Sequence, residues 1–223
     1  MWWEEQRSML PFRDRAEAGR MLGSALVGYA GREDVLILAL PRGGIPVAYE
    51  VAKSLAAPLD VFVVRQLGAP GNEELAIGAA APGGICILQE QIIAEMKIPA
   101  EAVREIAGHA EQERRESEAL YRSNLPSHRI AGKAAILVDD GIATGATMCA
   151  AVAALRAIAA KEVVVAVPVG PASTSRELRT LADEVICLAT PETFFTVGQW
   201  YVNFEQISDR EVLALLEQAA TLV

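Results

Sequence analysis

The stretch from Ala134 to Met148 reads AAILVDDGIATGATM, and the rest of the chain is arranged around it. The apolar run from Ala135 to Val138 is short and rich in branched residues, which is typical of a strand buried on both faces. Two acids, a turn with glycine and a helix-forming run follow, so the stretch predicts a strand, a loop and a helix. The loop ends in small residues, Thr144 to Thr147, whose backbone N–H groups can surround an anion where a helix begins. We therefore predict a phosphate site at this loop.

Asp139 and Asp140 stand at the carboxyl end of the predicted strand, beside the phosphate site. Their charges would repel a bare phosphate unless a cation or a row of hydroxyls lay between them. The hydroxyls of a ribose 5-phosphate would meet that need. The alternative is an ordinary strand-to-helix turn capped by Thr144, with the acids at a sheet edge. Other phosphate loops fit worse, because the chain has neither G-x-x-x-x-G-K-[ST] nor G-x-G-x-x-G.

Strands and helices alternate on both sides of this stretch, which predicts an α/β fold with a mainly parallel sheet and ligands at the carboxyl ends of its strands. Asp14 is placed to cap a first helix that runs to Ala30. Mainly apolar runs predict five further strands, Val35 to Leu40, Leu59 to Val64, Ile85 to Leu88, Val163 to Val167 and Val185 to Leu188. Helices are predicted at Ile45 to Ala57, from the central motif to Ala160, from Ser173 to Ala182 and at Asp209 to Thr221.

The central motif resembles the signature of the type I phosphoribosyltransferases, in which an apolar strand, two acids and a T-G-x-T loop bind phosphoribosyl pyrophosphate (PRPP). The resemblance implies that Asp139 and Asp140 bind the ribose hydroxyls and take part in catalysis. It also implies that the 5-phosphate lies on Ala143, Thr144, Gly145, Ala146 and Thr147. Arg42, Gly43 and Gly44 match the pyrophosphate loop, where many members have a cis peptide bond before a residue other than proline. Two glycines there free backbone N–H groups for an anion, and Arg42 adds a fork of donors; the alternative is a glycine-rich helix start with a solvated arginine.

The segment from Arg65 to Gly84 is rich in glycine, and only Leu75 to Ala81 has the pattern of a pairing strand. It falls where the family has a flexible loop that closes over PRPP, so the resemblance implies that Arg65 stabilises the leaving pyrophosphate. Further along, Pro99 to Leu125 predicts a long charged helix. We expect that helix to be largely solvated rather than to bind a partner.

The tail supplies the part that the family calls the hood, at about residues 190–206 together with the N-terminal segment. Phe195 and Val197 lie in an F-T-V-G turn similar to the one that holds the base in purine phosphoribosyltransferases, although the tail aromatics could equally be core under the last helix. Two features of the hypoxanthine-guanine enzymes are missing: Ala143 stands where they have an aspartate, and Pro168 to Pro171 contains no lysine. The whole pattern also resembles a bacterial group of phosphoribosyltransferases with no assigned acceptor.

Composition limits the classes of binding partner and the cellular location that we expect for the protein. The net charge of −9 disfavours nucleic acid or an anionic membrane as the main partner, because either would need a basic surface. Cys86, Cys149 and Cys187 are widely spaced within apolar runs, which predicts buried, reduced thiols and a cytoplasmic location. No apolar run is long enough for a transmembrane helix, and the N-terminus does not have the form of a signal peptide.

The function predicted from these features is transfer of phosphoribose from Mg-PRPP to a nitrogenous base with release of pyrophosphate. We expect a single phosphoribosyltransferase domain over residues 1–223, with its core at about 33–190, and a homodimer. The Mg²⁺ cofactor would arrive with PRPP and lie near Asp139 and Asp140. The first alternative is a PRPP-binding regulatory or accessory protein on the same fold. A phosphate-ester hydrolase with Asp139 as nucleophile is a weaker one, because the usual D-x-D is absent.

Overall fold

Five parallel strands form the central sheet of the protein, seen here in a computed structural model that describes residues 11–122 and 128–222. The strands are β1 Val35–Ala39, β2 Leu59–Val61, β6 Ala134–Val138, β7 Glu162–Val169 and β8 Glu184–Ala189. In space they follow the order β2-β1-β6-β7-β8. The first strand lies beside the strand of the central motif, with Ala39 opposite Val138. The predicted α/β fold with a parallel sheet is therefore confirmed.

Seven helices connect these strands or cover the sheet within the described residues. They are α1 Arg15–Ala25, α2 Gly44–Leu55, α3 Glu90–Glu95, α4 Ala100–Arg122, α5 Ala146–Ala157, α6 Ala172–Leu178 and α7 Asp209–Ala219. Alternate residues of β1 point to opposite faces, and all of them are buried. On one face Ile37 packs with apolar residues of α2 and α7, and on the other Leu38 packs with those of α5 and α6.

The two ends of α1 show how the local sequence sets its limits. The Asp14 carboxylate accepts a hydrogen bond from the Glu17 amide at 2.8 Å, which is the predicted N-cap. The helix ends earlier than predicted, at Ala25, and a single 3₁₀ turn at Val27–Tyr29 follows before Gly31.

A second, three-stranded antiparallel sheet corrects the prediction that residues 65–84 are mostly loop. Its strands are β3 Arg65–Ala69, β4 Asn72–Ala81 and β5 Ile85–Leu88, in that order. Gly71 at the first turn, and Gly83 and Gly84 at the second, all have positive φ angles, which glycine adopts without steric strain. The glycines thus mark the turns of two hairpins. Closure of this segment over a ligand stays a prediction.

One face of α4 covers this small sheet, whereas about half of the helix residues are exposed and form the solvated face that the charge pattern predicted. Its residues Val103 and Ala110 are buried, and Ala110 belongs to a cluster with Leu67 and Ile77 of the sheet. Arg114 lies on the same face with its side chain 4% exposed, and it forms ion pairs with Glu111 and Glu118. The predicted continuation of the helix to Leu125 lies outside the described residues.

The three cysteines are free thiols. Cys86 is exposed on β5, which contradicts the prediction that it is buried, whereas Cys149 and Cys187 are partly buried. The run around Cys86 is apolar, but its strand is an edge of the small sheet and leaves that side chain outside. In the described ranges, no helix is both long and apolar enough to cross a membrane.

Candidate functional site

The central motif forms the strand, loop and helix that the sequence predicted. The loop after β6 ends at Gly145, whose φ of 79° places it in the left-handed region directly before α5. A Cβ on Gly145 would come within 2.5 Å of the Thr174 Cγ2 atom, so a larger residue does not fit there. The Thr174 hydroxyl also donates to the Ala143 carbonyl at 2.9 Å. The loop is thus held from behind by the first turn of α6.

The two predicted carboxylates lie at the carboxyl end of β6. Asp140 is buried and Asp139 is partly buried, and the Asp140 amide donates to the Asp139 Oδ1 atom at 2.8 Å. Burial raises the pKa of the Asp139 carboxyl well above its usual range, and the nearby charge of Asp140 raises it further. Burial also raises the pKa of Asp140, an effect that Arg15 opposes. Both carboxyl groups therefore hold a proton to a higher pH than a solvated aspartate does.

The turn after β1 lies against these carboxylates. The Pro41–Arg42 peptide bond is cis, at the place that the resemblance indicated. A Cβ on Gly43 would be 2.2 Å from the Asp140 Oδ2 atom, and one on Gly44 would be 2.7 Å from the Val138 carbonyl oxygen. Both glycines therefore allow a close approach of two strand ends that no larger residue permits. The Arg42 side chain is 40% exposed, with its Nη1 atom 3.8 Å from Asp209.

Arg15 is the main feature of the site that the sequence analysis missed. Its Nε atom donates to the Asp140 Oδ2 atom at 2.8 Å, and its Nη1 atom donates to the Glu205 carbonyl oxygen at 2.8 Å. The guanidinium carbon lies 3.8 Å from the centre of the Phe204 ring. Nothing in the local pattern of α1 indicated these contacts, because Asp140 is 125 residues away in the chain.

A cavity of about 350 Å³ opens between the two turns and the hood. Acidic and basic groups line one side, and Phe204, Gln206 and Ile207 line the hood side. The other lining residues are Arg15, Arg42, Gly43, Asp139 and Asp140. Phe204 is one of several aromatic residues in the tail, so the sequence contained the signal for an aromatic wall but not the identity of the ring.

The residues predicted to bind the base lie elsewhere in the hood. Phe195 is 78% exposed and does not line this cavity, which also rules out the alternative that it is core. Val197 packs close to Gly141, where a Cβ would be 2.6 Å from its Cγ1 atom. Phe194 and Trp200 stack with ring centres 6.3 Å apart inside the hood. The roles of Phe195 and Val197 in base binding stay predictions.

Arg65 begins β3 and lies outside the lining of the cavity. Its Nη2 atom donates to the Ser117 hydroxyl of α4 at 2.8 Å, while its Nε atom is buried without a hydrogen-bond partner among the described residues. Tyr121 connects this region to Arg42. Burial and a hydrogen bond to Asp209 raise the pKa of Tyr121 to about 12, and the charges of Arg42 and Arg65 oppose that rise. Two cations therefore lie in the neighbourhood of one tyrosine.

Comparison with known proteins identifies the family. Residues 13–204 match the family described as "Phosphoribosyl transferase domain". The chain belongs to this family. It is 46% identical over 208 residues to two Mycobacterium tuberculosis proteins, from strains H37Rv and CDC 1551, that are named "putative phosphoribosyl transferase". That match covers 93% of this chain but spans only 47% of the length of those relatives.

The structure is also similar to a crystal structure of a bacterial protein, TT1426 from Thermus thermophilus. The TM-score is 0.83 at 39% sequence identity, and the match covers 94% of this chain and 99% of that one. The family match and the parallel sheet flanked by helices together confirm the predicted phosphoribosyltransferase fold.

Proposed function

We propose that the protein transfers the phosphoribosyl group of PRPP to a nitrogen of a base and releases pyrophosphate. The observation that carries the proposal is the meeting of three parts at one edge of the sheet. Asp139 and Asp140 directly follow β6, the loop of Thr144 and Gly145 precedes α5, and the turn of Gly43 packs against Asp140. The first part suits ribose hydroxyls, the second a terminal phosphate and the third a pyrophosphate.

In this proposal each part acts on a different group of PRPP. The carboxylates of Asp139 and Asp140 accept hydrogen bonds from the two ribose hydroxyls and so fix the sugar ring. Backbone N–H groups from Ala143 to Thr147 bind the 5-phosphate. Arg42 and the amides of Gly43 and Gly44 bind the pyrophosphate, whose negative charge grows as its bond to C1 breaks.

The chemistry is a substitution at C1 of the ribose. The C1–oxygen bond to pyrophosphate breaks with its electron pair on the leaving oxygen, and the ring gains oxocarbenium character. A base nitrogen forms the new bond to C1, and its proton passes to the released pyrophosphate or to water. Arg42 is placed to stabilise the leaving group, and Arg65 would add a second cation if the small sheet closes. The nearby carboxylates of Asp139 and Asp140 would favour positive charge on the sugar.

The family implies Mg²⁺, and the residues fit a metal ion that arrives with PRPP. No cluster of three or more His, Cys, Asp or Glu side chains suited to a metal is found in the part of the chain that the structure describes. Phosphate oxygens and water would therefore supply most of its ligands, with Asp139 and Asp140 nearby, as suits this hard cation. When bound, Mg²⁺ would neutralise charge on the pyrophosphate.

The test is PRPP binding by calorimetry with Mg²⁺ present. Replacing both acids, Asp139→Asn with Asp140→Asn, is expected to weaken PRPP binding at least about a hundredfold, because each lost hydrogen bond to a charged group contributes roughly 1.5 to 3 kcal/mol. Asp34→Asn is the matched control, since Asp34 precedes β1 and pairs with Arg32 and Lys161 at the opposite end of the sheet. Equal PRPP affinity in the wild type and the double variant would refute the proposal. Tight binding with no pyrophosphate released, whatever base is added, would favour the PRPP-binding regulatory alternative.

A further inference from the structure

Arg15 connects three parts of the site that are distant in the chain. It belongs to the first turn of α1, and its partners are the side chain of Asp140 after β6 and the Phe204–Glu205 segment of the hood. The ion pair is buried, with side chains 10% and 12% exposed for Arg15 and Asp140. No step of the proposed transfer requires this arginine, so its burial needs a separate explanation.

A role in stability alone explains the ion pair poorly. Taking two charges out of water is costly, and well-packed apolar side chains of similar volume often stabilise a protein as much or more. The guanidinium of Arg15 provides instead a planar fork that donates in two directions at once, here to a carboxylate and to a backbone carbonyl. Its flat face remains available to lie over Phe204. The geometry suits a residue that fixes other groups relative to one another.

The contacts also decide which atom of Asp140 faces a ligand. Arg15 donates to Oδ2, the carboxylate oxygen nearer to Gly43, so a sugar hydroxyl would donate to Oδ1. The hood holds Asp140 at a second place, since the Tyr201 hydroxyl donates to its carbonyl oxygen at 2.6 Å. Tyr201 in turn contacts the segment before α1, because its backbone forms a parallel β-bridge with Phe12.

We propose that Arg15 is a positioning residue that couples the hood to the PRPP carboxylates. It orients Asp140 toward the sugar and, through the same side chain, holds Phe204 and Glu205 at the wall of the cavity. This inference rests on the proposed function, because it assigns Asp140 to PRPP. Its consequence is that PRPP affinity depends on Arg15 although Arg15 itself need not contact PRPP.

The experiment compares PRPP affinity and melting temperature in matched arginine variants. Arg15→Gln is expected to weaken PRPP binding about tenfold to a hundredfold, as the loss of a charged hydrogen bond at a binding group would do. Arg15→Lys should recover part of that loss, since an ammonium can pair with Asp140 but does not have the planar fork. Arg32→Gln is the control, because Arg32 also pairs with carboxylates and lies over an aromatic ring, Tyr29, but at the other end of the sheet. It should lower the melting temperature and leave PRPP affinity unchanged.

A double-mutant cycle separates positioning from general support of the fold. If Arg15 acts through Asp140, then Arg15→Gln should cause little further loss of PRPP affinity in an Asp140→Asn background. Independent, multiplicative losses would overturn the inference, and so would wild-type affinity in Arg15→Gln. If Arg15→Gln does not fold, Tyr201→Phe serves as the second variant, because it removes the hydrogen bond to the Asp140 carbonyl oxygen and keeps the aromatic ring. This variant should bind PRPP severalfold more weakly. Unchanged PRPP affinity would count against the coupling. A wild-type protein that does not bind PRPP would refute the proposed function and this inference together, whereas wild-type binding with unchanged variants would refute the inference alone.

Discussion

Asp139 shows how a carboxyl group in a poorly solvated site can lower stability. Its carboxyl is held where burial and the charge of Asp140 raise its pKa. The folded protein therefore keeps this proton to a higher pH than the unfolded chain does. Stability falls as the pH rises above the unfolded pKa of about 4, and the loss is complete once the pH passes the raised folded pKa.

Asp139→Asn should accordingly stabilise the protein at pH 7 and lose that advantage near pH 4. Asparagine keeps the oxygen that accepts from the Asp140 amide and removes the unfavourable charge. A gain of about 1 kcal/mol would raise the melting temperature of a chain of this size by roughly 2 to 4 °C. Melting curves of the ligand-free protein at both pH values measure the effect.

Asp34→Asn is a control that should change the melting temperature at pH 7 in the opposite direction. Hydrogen bonds from Arg32 and Lys161 hold the pKa of Asp34 below its usual range, so its contribution is present at pH 7 and disappears as the pH falls through that lowered pKa. This variant should melt earlier at pH 7. A lower melting temperature for Asp139→Asn at pH 7 would show that burial of this charge is not costly.

Among the strands, helices and loops, the sequence predicted those that are marked by a pattern of neighbouring residues. Mainly apolar runs indicated the parallel strands, and the acids and small residues of the central motif indicated the loop between β6 and α5. Of the small sheet, Leu75 to Ala81 and Ile85 to Leu88 were predicted as strands. The strand β3 and the pairing of all three were missed, because Ala and Gly have low strand propensity and the sheet is stabilised by packing under α4. The contacts of Arg15 were missed for a related reason, since they join segments that only the folded chain brings together.

The contact between α6 and the predicted phosphate loop, Ala143 to Thr147, gives a prediction at this scale. Thr174→Val keeps the shape that fits against Gly145 but removes the hydroxyl, which leaves the Ala143 carbonyl without its donor. An unsatisfied polar group costs about 1 to 3 kcal/mol, so we expect PRPP affinity to fall about tenfold, with a similar loss for ribose 5-phosphate. Thr174→Ser, which keeps the hydroxyl, should lose less.

Thr180→Val is the matched control for this variant. The Thr180 hydroxyl makes the same kind of bond, to the Glu177 carbonyl at 2.7 Å, just beyond the end of α6. Titrations of Thr174→Val, Thr174→Ser and Thr180→Val with PRPP would measure the difference in affinity. The support role of Thr174 would be wrong if Thr174→Val bound PRPP as tightly as Thr180→Val does.

At the scale of the whole molecule, an acidic chain presents cations to its cavity. The net charge is −9, yet Arg15 and Arg42 both line the cavity, and Asp140 already neutralises the first. Arg42 is therefore the cation in the lining best placed for a polyanionic substrate. The predicted dimer stays a prediction, and the Mycobacterium tuberculosis relatives are about twice the length of this chain.

The loop after β7 bears on the choice of acceptor, because in the hypoxanthine-guanine enzymes a lysine there is expected to bind the 6-oxo group. Here Gly170 packs against Ile142, where a Cβ would lie 2.3 Å from Cγ1, and Thr174 supports the phosphate loop. Ala143 has no side chain that accepts a proton. A site without these groups gives little selection for 6-oxopurines, since strong discrimination needs buried polar groups that pair with the substrate.

Hypoxanthine and guanine should therefore be poor substrates. Pyrophosphate release with adenine, hypoxanthine, guanine, xanthine, uracil and orotate measures this directly, and efficient, selective use of hypoxanthine or guanine would refute the argument from Ala143 and the missing lysine.

The same assay compares the contributions of the Phe204 and Phe195 rings to binding of the base. Phe204 lines the cavity whereas Phe195 is 78% exposed, so Phe204→Leu should raise the acceptor KM several-fold, by about 1 kcal/mol of lost aromatic contact, and Phe195→Ala should change it less. If Phe195→Ala raised the acceptor KM more than Phe204→Leu did, the base would be assigned to the F-T-V-G turn, as the sequence alone predicted. An exposed ring that affects the acceptor KM must contact the acceptor.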